Sequence, residues 1–458
     1  MISHTHDQSL FAWRDGRAIT AGAFLADVAA LCALLPAGGH MLNACADRYH
    51  FAVGLAAALQ SAKVCLLPST QAPEMISQLA RFAPDAFCLT DNPACIVDLP
   101  QTRYPASPAA TSLANDDAGN RCPQSQVAPF SVPRIDSAQL AAYVFTSGST
   151  GVPMPHPKTW GALVRNVHAE AQLCRLDEAR LFAIIGTVPA QHMYGFESSV
   201  LLAMQSANAL VAGNAFYPAD ICNTLCSVPH PRVLVSTPVH LRSLLSSVQE
   251  VPPVDLLLSA TAPLSQALAS EAEARFCAPL LEIYGSTETG QIAARATARS
   301  DVWELFPGVS LTLRQDATWA SGGHIEQPTV LNDVIELLAD GQHFRLHGRN
   351  ADLINIAGKR NSLAYLDLQL NAIDGVEDGA FYMPDGELPG HVTRLMAFVV
   401  APTLAPADLL EALRQKFDLV FLPRPLVYLD ALPRNGTGKL PRQALKALAD
   451  QHMNRHLS

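Results

Sequence analysis

The sequence predicts an α/β protein: a large N-terminal domain of layered sheets and helices with a small β subdomain, then a small α+β domain at the C-terminus. Three observations carry this prediction. Short apolar runs alternate with segments of helical period over most of the first 300 residues, the pattern of sheets covered by helices. Between 302 and 347 the pattern changes to short alternating strands with Gly-containing turns. Beyond Gly348-Arg349 the charge balance shifts, because residues 1–348 hold 19 basic and 29 acidic residues while residues 349–458 hold 12 of each.

Composition bounds the function classes. A chain of 458 residues exceeds one ordinary core, so two or three domains are expected. Apolar residues make up 49% and charged residues 16%, as in a packed globular enzyme. A net charge of −10 argues against a general nucleic-acid binder. The ten cysteines are scattered and form no C-x-x-C pair, so neither a disulfide framework nor a zinc site is indicated. The first residues show no basic and apolar leader pattern, and no apolar run reaches the roughly 20 residues of a membrane span. A cytoplasmic enzyme is the expectation.

In order, Thr20 caps a helix reaching about Leu35, which Pro36-Ala-Gly-Gly stops. Met41–Cys45 is a strand, and Phe51–Leu59 a helix of small residues suited to close packing on a sheet. A strand at 63–68, a helix near 73–81 and a strand near 86–90 continue the alternation. From Asn92 to about Asp136 the chain is a long connection rich in Pro, Ser, Ala and Asp. Ala141–Phe145 is a buried strand, Trp160–Cys174 a helix, Leu181–Val188 a strand, and residues 189–197 turn into a helix ending near Met204. Further strands fall at Arg232–Ser236, Val254–Ser259 and Leu280–Tyr284, with helices at His240–Ser247 and Gln266–Phe276. Ser310–Arg314 and Val334–Leu338 belong to the β subdomain. The last unit has strands at 353–356 and 395–401, a helix at 406–417 and an amphipathic helix at 441–449.

The strand at 141–145 empties into Thr146-Ser147-Gly148-Ser149-Thr150-Gly151, a loop with four hydroxyls and two glycines. Such a loop offers backbone N–H and side-chain O–H donors without bulk, which suits a polyphosphate. It is not a Walker A loop, since no Gly-Lys-Ser/Thr follows.

Three later stretches join it: Tyr284-Gly285-Ser286-Thr287-Glu288, Gly348-Arg349 with Asp352–Gly358, and Pro433–Arg442 containing Lys439. Together the four resemble the adenylate-forming superfamily of acyl-CoA synthetases, peptide-synthetase adenylation domains and luciferases. The resemblance implies an N-terminal adenylation domain at 1–348, binding ATP and an acid, and a mobile C-terminal lid domain at 349–458 carrying a catalytic lysine. Asn43–Phe51, Pro153–Trp160 and Gly358–Leu363 further resemble short bacterial AMP-ligases of aryl-polyene and xanthomonadin-type pigment pathways.

The implied reaction joins a carboxylate to AMP, releases pyrophosphate and passes the acyl group to a thiol. By the resemblance, Thr146, Ser147, Gly148, Ser149, Thr150 and Gly151 hold the β- and γ-phosphates and Thr287 donates to the α-phosphate. Tyr284 and Gly285 lie at the adenine, Asp333 and Arg349 at the ribose, and Glu288 binds Mg²⁺, a hard ligand for a hard cation. Lys439 neutralises charge between carboxylate and α-phosphate. His192 is either a packed structural histidine or a gate between half-reactions. Tyr194, Phe196, Ala260 and Thr261 line the acyl site, where flat aromatic walls suit an aryl acid. Three positions depart from the family: Met154 replaces the usual lysine after the loop proline, Ala351 stands in the hinge, and Tyr365-Leu366-Asp367 replaces Glu-x-Glu. Whether Lys158 takes the missing lysine's place stays open.

The leading expectation for the acceptor is the phosphopantetheine thiol of an acyl carrier protein. Arg424, Arg434, Arg442 and Lys446 on the neutral C-terminal part suit an acidic partner. Free CoA is the alternative, and a non-catalytic nucleotide or acyl-adenylate sensor is the reading from another class.

Overall fold

A computed structural model of the chain describes residues 1–68, 70–105, 130–147, 153–176, 180–213, 215–247, 250–315, 317–349, 353–356, 359–384, 395–435, 438 and 440–455. Two large sheets dominate. In an eleven-stranded sheet, Leu10–Arg14, Ala209–Val211, Ala183–Gly186, Arg232–Ser236, Leu256–Ser259 and Leu280–Ser286 are parallel neighbours in that order. Gly290–Arg295, Val302–Leu305, His343–Arg349 and Asp333–Leu337 extend it antiparallel at one end, and Arg17–Thr20 pairs antiparallel with Leu10–Arg14 at the other. In a six-stranded sheet, Gln101–Arg103, Phe87–Thr90, His40–Asn43, Val64–Leu67 and Leu140–Ser147 run parallel, and Pro153–Thr159 closes the edge antiparallel.

The helix Arg48–Gln60 packs on strands of both sheets, and its residues from Tyr49 to Leu59 are buried apart from His50. Its small side chains let two sheets approach one helix, which the run from Ala52 to Ala58 anticipates. Asp47 caps its start, accepting from the N–H groups of Tyr49 and His50. Thr20, Thr159, Thr237 and Ser265 cap four other helices in the same way.

Two features differ from the sequence expectation. Val309–Arg314, Ala317–Gly322 and Ile325–Leu331 form the small separate sheet, whereas the other strands between 302 and 349 complete the large one. Alternation announces a strand but not its partner, because pairing is decided over long range. The tail of the phosphate-type loop is itself a strand, Pro153–Thr159. Its prolines lack a ladder donor, and the strand sits at a sheet edge where that is tolerated.

Residues beyond 353 pack on their own cores. Strands Asp378–Tyr382, Met396–Val400 and Leu426–Tyr428 form a sheet with one apolar cluster per face. Phe381, Ala397 and Val399 face one cluster, while Ala380, Tyr382, Met396, Phe398 and Val400 face the other, the period of two that a covered sheet requires. Among the described residues, no helix is long and apolar enough to cross a membrane.

Candidate active site

The parallel run of the large sheet ends in a row of small polar residues. Register pairs Val235 with Gly186, Ser236 with Ser259, and Ser259 with Glu282, so the carboxyl ends of three strands finish close to one level while the fourth, Leu280–Ser286, runs on beyond it. Open α/β sheets bind ligands at this edge. Thr187 Oγ1 donates to Ser236 Oγ at 3.2 Å and lies 2.7 Å from His240 Nδ1. Ser259 Oγ is buried without a hydrogen-bond partner among the described residues. Two residues on, Thr261 has a φ of 81°, a conformation that a β-branched side chain rarely adopts and that costs on the order of 1–3 kcal/mol. Strain beside an orphaned hydroxyl marks the turn containing Ala260 and Thr261 as built for something other than stability.

One strand further on, three residues distant in sequence come together. Tyr284 O–H donates to Asp333 Oδ2 at 2.6 Å, and the ring packs near Trp303 and Phe344 with centroids 5.5 and 5.8 Å away. Asp333 stands opposite Arg349 in the antiparallel ladder. A flat ring and an acceptor thus meet in one corner, with Arg349 at the paired ladder position, a composition that suits a base and its sugar.

The turn after Tyr284 is tightly built. A Cβ on Gly285 would lie 2.3 Å from Gly290 O, and one on Gly290, at φ 72°, would lie 2.2 Å from Asn166 Nδ2. Glu288 projects from this turn with a side-chain exposure of 46%. Burial works against its ionisation, but its own backbone N–H, the Ser286 hydroxyl, His156 and Lys158 outweigh it and hold the carboxyl below its usual range. Strand Pro153–Thr159 underlies the turn. His156 and Lys158, two apart, point the same way. His156 Nε2 lies 2.9 Å from Thr146 Oγ1 and 3.8 Å from Glu288 Oε1, while Lys158 Nζ donates to Glu288 O at 3.1 Å. Lys158 is buried and Met154 is exposed, and Lys158 supports the Glu288 turn from below.

Below lies a cleft of about 210 Å³ lined by Lys158, Asn166, Glu197, Glu288, His324 and Glu326, among others. Burial pushes the Glu197 carboxyl up, Lys158 pulls it back, and Asn166 Nδ2 donates to it at 2.9 Å. Burial likewise lowers His324 to about 4, and its Nε2–H donates to Thr289 O at 2.9 Å. The sequence reading missed Asn166, Glu197, His156 and His324. The signal for His156 and Lys158 was their i, i+2 spacing, which has meaning only once 153–159 is a strand.

On the other flank His192 caps a short turn, its Nδ1 accepting from Tyr194 N at 3.3 Å. Gln191 Nε2 donates to Cys45 O at 2.6 Å, and Arg48 donates to Val188 O at 2.5 Å and to Ser199 Oγ at 3.0 Å. The Asn43–Phe51 stretch therefore anchors the His192 turn. Phe196 is wholly buried, edge-on to Phe51, and opens a π-helical turn through Leu201. Tyr194 is buried too, with a phenol that has no hydrogen-bond partner among the described residues. Nearby, Glu170 is pushed to about 8 by burial, against hydrogen bonds from Ser198 and Gln291.

Ser147 ends its strand, while Gly148, Ser149, Thr150, Gly151 and Lys439 lie outside the described residues. Gly438, which precedes Lys439, is described, and it packs against Thr237 and Val239 at the same carboxyl edge. Among the described residues no three His, Cys, Asp or Glu side chains cluster as a metal cage. A lone, ionised, half-exposed Glu288 fits Mg²⁺ of the kind that takes one carboxylate and completes its shell with phosphate oxygens and water.

A family model described as AMP-binding enzyme matches residues 18–341. The chain belongs to that family. It is an AMP-forming acid–thiol ligase of the acyl-CoA ligase type, which activates an acid with ATP through acyl-AMP. Among curated proteins it is 31% identical over 310 residues to a 4-coumarate–CoA ligase of Rhodobacter capsulatus, covering 66% of this chain and 75% of that protein. A 4-coumarate–CoA ligase of Halorhodospira halophila is 32% identical over 307 residues, covering 64% and 73%. Among solved structures, ATP-bound MatB from Rhodopseudomonas palustris superposes with a TM-score of 0.77 at 18% identity, covering 97% of each chain. The o-succinylbenzoate–CoA synthetase of Bacillus subtilis bound to AMP gives 0.74 at 16% identity, covering 96% and 95%. These likenesses bear out the α/β fold expected from the sequence.

Proposed function

We propose that this protein is an aryl-acid:CoA ligase, with residues 1–348 forming the adenylation domain and 349–458 the lid. The observation that carries the reading is the convergence of the Tyr284–Asp333 pair, the Glu288 turn and the strained Thr261 turn on one sheet edge. The curated relatives named above are CoA ligases, which favours CoA over the acyl carrier protein expected first. The charge argument for a carrier protein also weakens, because Arg434 is engaged by Asp378 at 2.7 Å within the chain. An aryl acid, of hydroxybenzoate or cinnamate type, is supported by the 4-coumarate relatives and by the pigment-pathway resemblance of the Asn43–Phe51 and Pro153–Trp160 stretches.

In this reading the acid's carboxylate oxygen attacks the α-phosphorus of ATP, the bond to the bridging oxygen breaks, and pyrophosphate leaves. Two anions must be brought together, so positioning and charge neutralisation supply most of the rate. Tyr284 flanks adenine, and Asp333 and Arg349 bind the ribose. Thr287 donates to the α-phosphate, the hydroxyls of 146–151 hold the outer phosphates, and Lys439 neutralises the reacting centre. Glu288 would hold Mg²⁺, which supplies further neutralisation when bound. Ala260, Thr261 and His192 border the acid, with Tyr194 and Phe196 packed behind His192.

Incubation of the protein with ATP, Mg²⁺ and a panel of benzoates, cinnamates and fatty acids, read by pyrophosphate exchange, tests the first half-reaction. Thioester formation with CoA against a purified carrier protein tests the second. Exchange with aryl acids and transfer to CoA are expected. No exchange with any acid would favour a nucleotide sensor, and preference for the carrier protein would overturn the choice of acceptor. Lys439→Ala should lower exchange at least about 100-fold if the lysine neutralises the reacting centre, and undiminished exchange would remove it from the mechanism.

A further inference from the structure

Gly438, the residue before Lys439, is braced from within its own unit and docked on the opposite one. Arg434 reaches both oxygens of Asp378 at 2.7 Å through Nε and Nη2, and its Nη1 donates to Gly438 O at 2.9 Å. Asp378 Oδ1 also accepts from Gly379 N at 2.9 Å, so the carboxylate is fixed at the start of strand Asp378–Tyr382. A bidentate arginine–carboxylate pair has defined geometry as well as strength. Here its third arm sets the position of one carbonyl, that of Gly438.

Gly438 in turn meets the other unit. Its φ is 77°, and a Cβ there would lie 2.8 Å from Val239 Cγ2 and 3.8 Å from Thr237 Oγ1. Thr237 is the cap at the carboxyl end of strand Arg232–Ser236, in the middle of the row of strand ends that forms the candidate site. Arg242 follows Val239 by three positions, on the same face of helix Pro238–Ser246. Burial disfavours its charge, the Asp378 carboxylate across the gap favours it, and Arg434 opposes it.

We propose that Arg434, fixed by Asp378, is a positioning residue that carries Gly438, the residue before Lys439, to the end of strand Arg232–Ser236, and that Arg242 receives it on the opposite side. This rests on Lys439 being the adenylating lysine. Arg434 and Asp378 act through the backbone and not on the reacting atoms; they hold the Gly438 carbonyl, one residue before the lysine. Their contribution therefore belongs to the adenylation half-reaction and not to transfer from a preformed acyl-adenylate.

The test separates the halves. Arg434→Gln, Asp378→Asn and Arg242→Ala are assayed for ATP–pyrophosphate exchange and, without ATP, for CoA thioester formation from synthetic acyl-adenylate. A displacement of about 1 Å can cost on the order of 100-fold in rate, so exchange should fall about 10- to 100-fold in the first two variants and less in the third. Transfer from acyl-adenylate and the KM values for acid and ATP should stay within about 2-fold, and Arg434→Lys should restore part of the exchange. Arg242 belongs to the N-terminal unit, so its variant reports on docking even if Arg434→Gln fails to fold. Equal loss of both activities in Arg242→Ala, or undiminished exchange in all three variants, overturns the proposal. Lys439→Ala distinguishes the two levels: if it abolishes exchange while the brace variants do not, the brace alone is wrong, and if it leaves exchange intact, the reading beneath it fails.

Discussion

Lys158→Met removes a cation from the interior while keeping much of the side chain's length. Lys158 Nζ donates to Glu288 O at 3.1 Å, and the charges of Glu197, Glu288 and Glu326 counter the burial that lowers its pKa. Stranding a charged Glu197 would cost about 3–5 kcal/mol. Burial already pushes the Glu197 carboxyl up, so it can take a proton when the lysine goes. What is lost is one charge-assisted hydrogen bond, worth about 1.5–3 kcal/mol. The bond anchors the backbone of the turn that presents Glu288, so divalent-metal affinity of the ATP-loaded protein should fall about 10-fold, the equivalent of about 1.4 kcal/mol. The acid KM should not move. Calorimetric titration with Mg²⁺ or Mn²⁺ in the presence of ATP reads the metal term, and urea unfolding reads the stability term. Unchanged metal affinity would refute the support role, and a loss near 5 kcal/mol would show that Glu197 stays charged.

Other outcomes follow from single sites. Glu170 has its pKa raised from 4.5 to about 8 by burial, so the folded protein holds a proton that the unfolded chain releases. That contribution is whole below pH 4.5 and is lost as pH rises through 8, so urea midpoints should fall over this range, and less steeply in Glu170→Gln. Gly290→Ala places a methyl group against Asn166 Nδ2 at a φ of 72°, and should destabilise by about 2 kcal/mol or more while lowering exchange. Equal stability in that variant would mean that the turn has slack the structure does not show.

Much of the secondary structure was legible locally. The helix at 266–276 is found where its period places it, after a Ser265 cap, and Thr20 caps the first helix as expected. Strand 153–159 was not legible, because prolines at 153, 155 and 157 argue against a strand unless it lies at an edge, and edge position is a property of the sheet. The strands at 101–103 and 209–211 escaped as well, being three residues long and defined by their neighbours. The anchoring of the His192 turn by Arg48 was out of reach for the same reason, since those residues stand 144 positions apart in the chain and meet only through packing.

The sequence by itself determined the donor density of Thr146–Gly151, because hydroxyls and glycines are a statement about local donors and backbone freedom. It also carried the motif order through Glu288, Arg349 and Lys439, and with it the family. Only the tertiary structure decided that Asp333 meets Tyr284 and stands opposite Arg349 in the ladder, that Lys158 stands under Glu288, and that Arg434 reaches the Gly438 carbonyl beside Val239 and Thr237. Local propensity and motif act through neighbours in the chain. Register and burial act through neighbours in space, and it is burial that turns an ordinary lysine, glutamate or arginine into a group with one fixed partner.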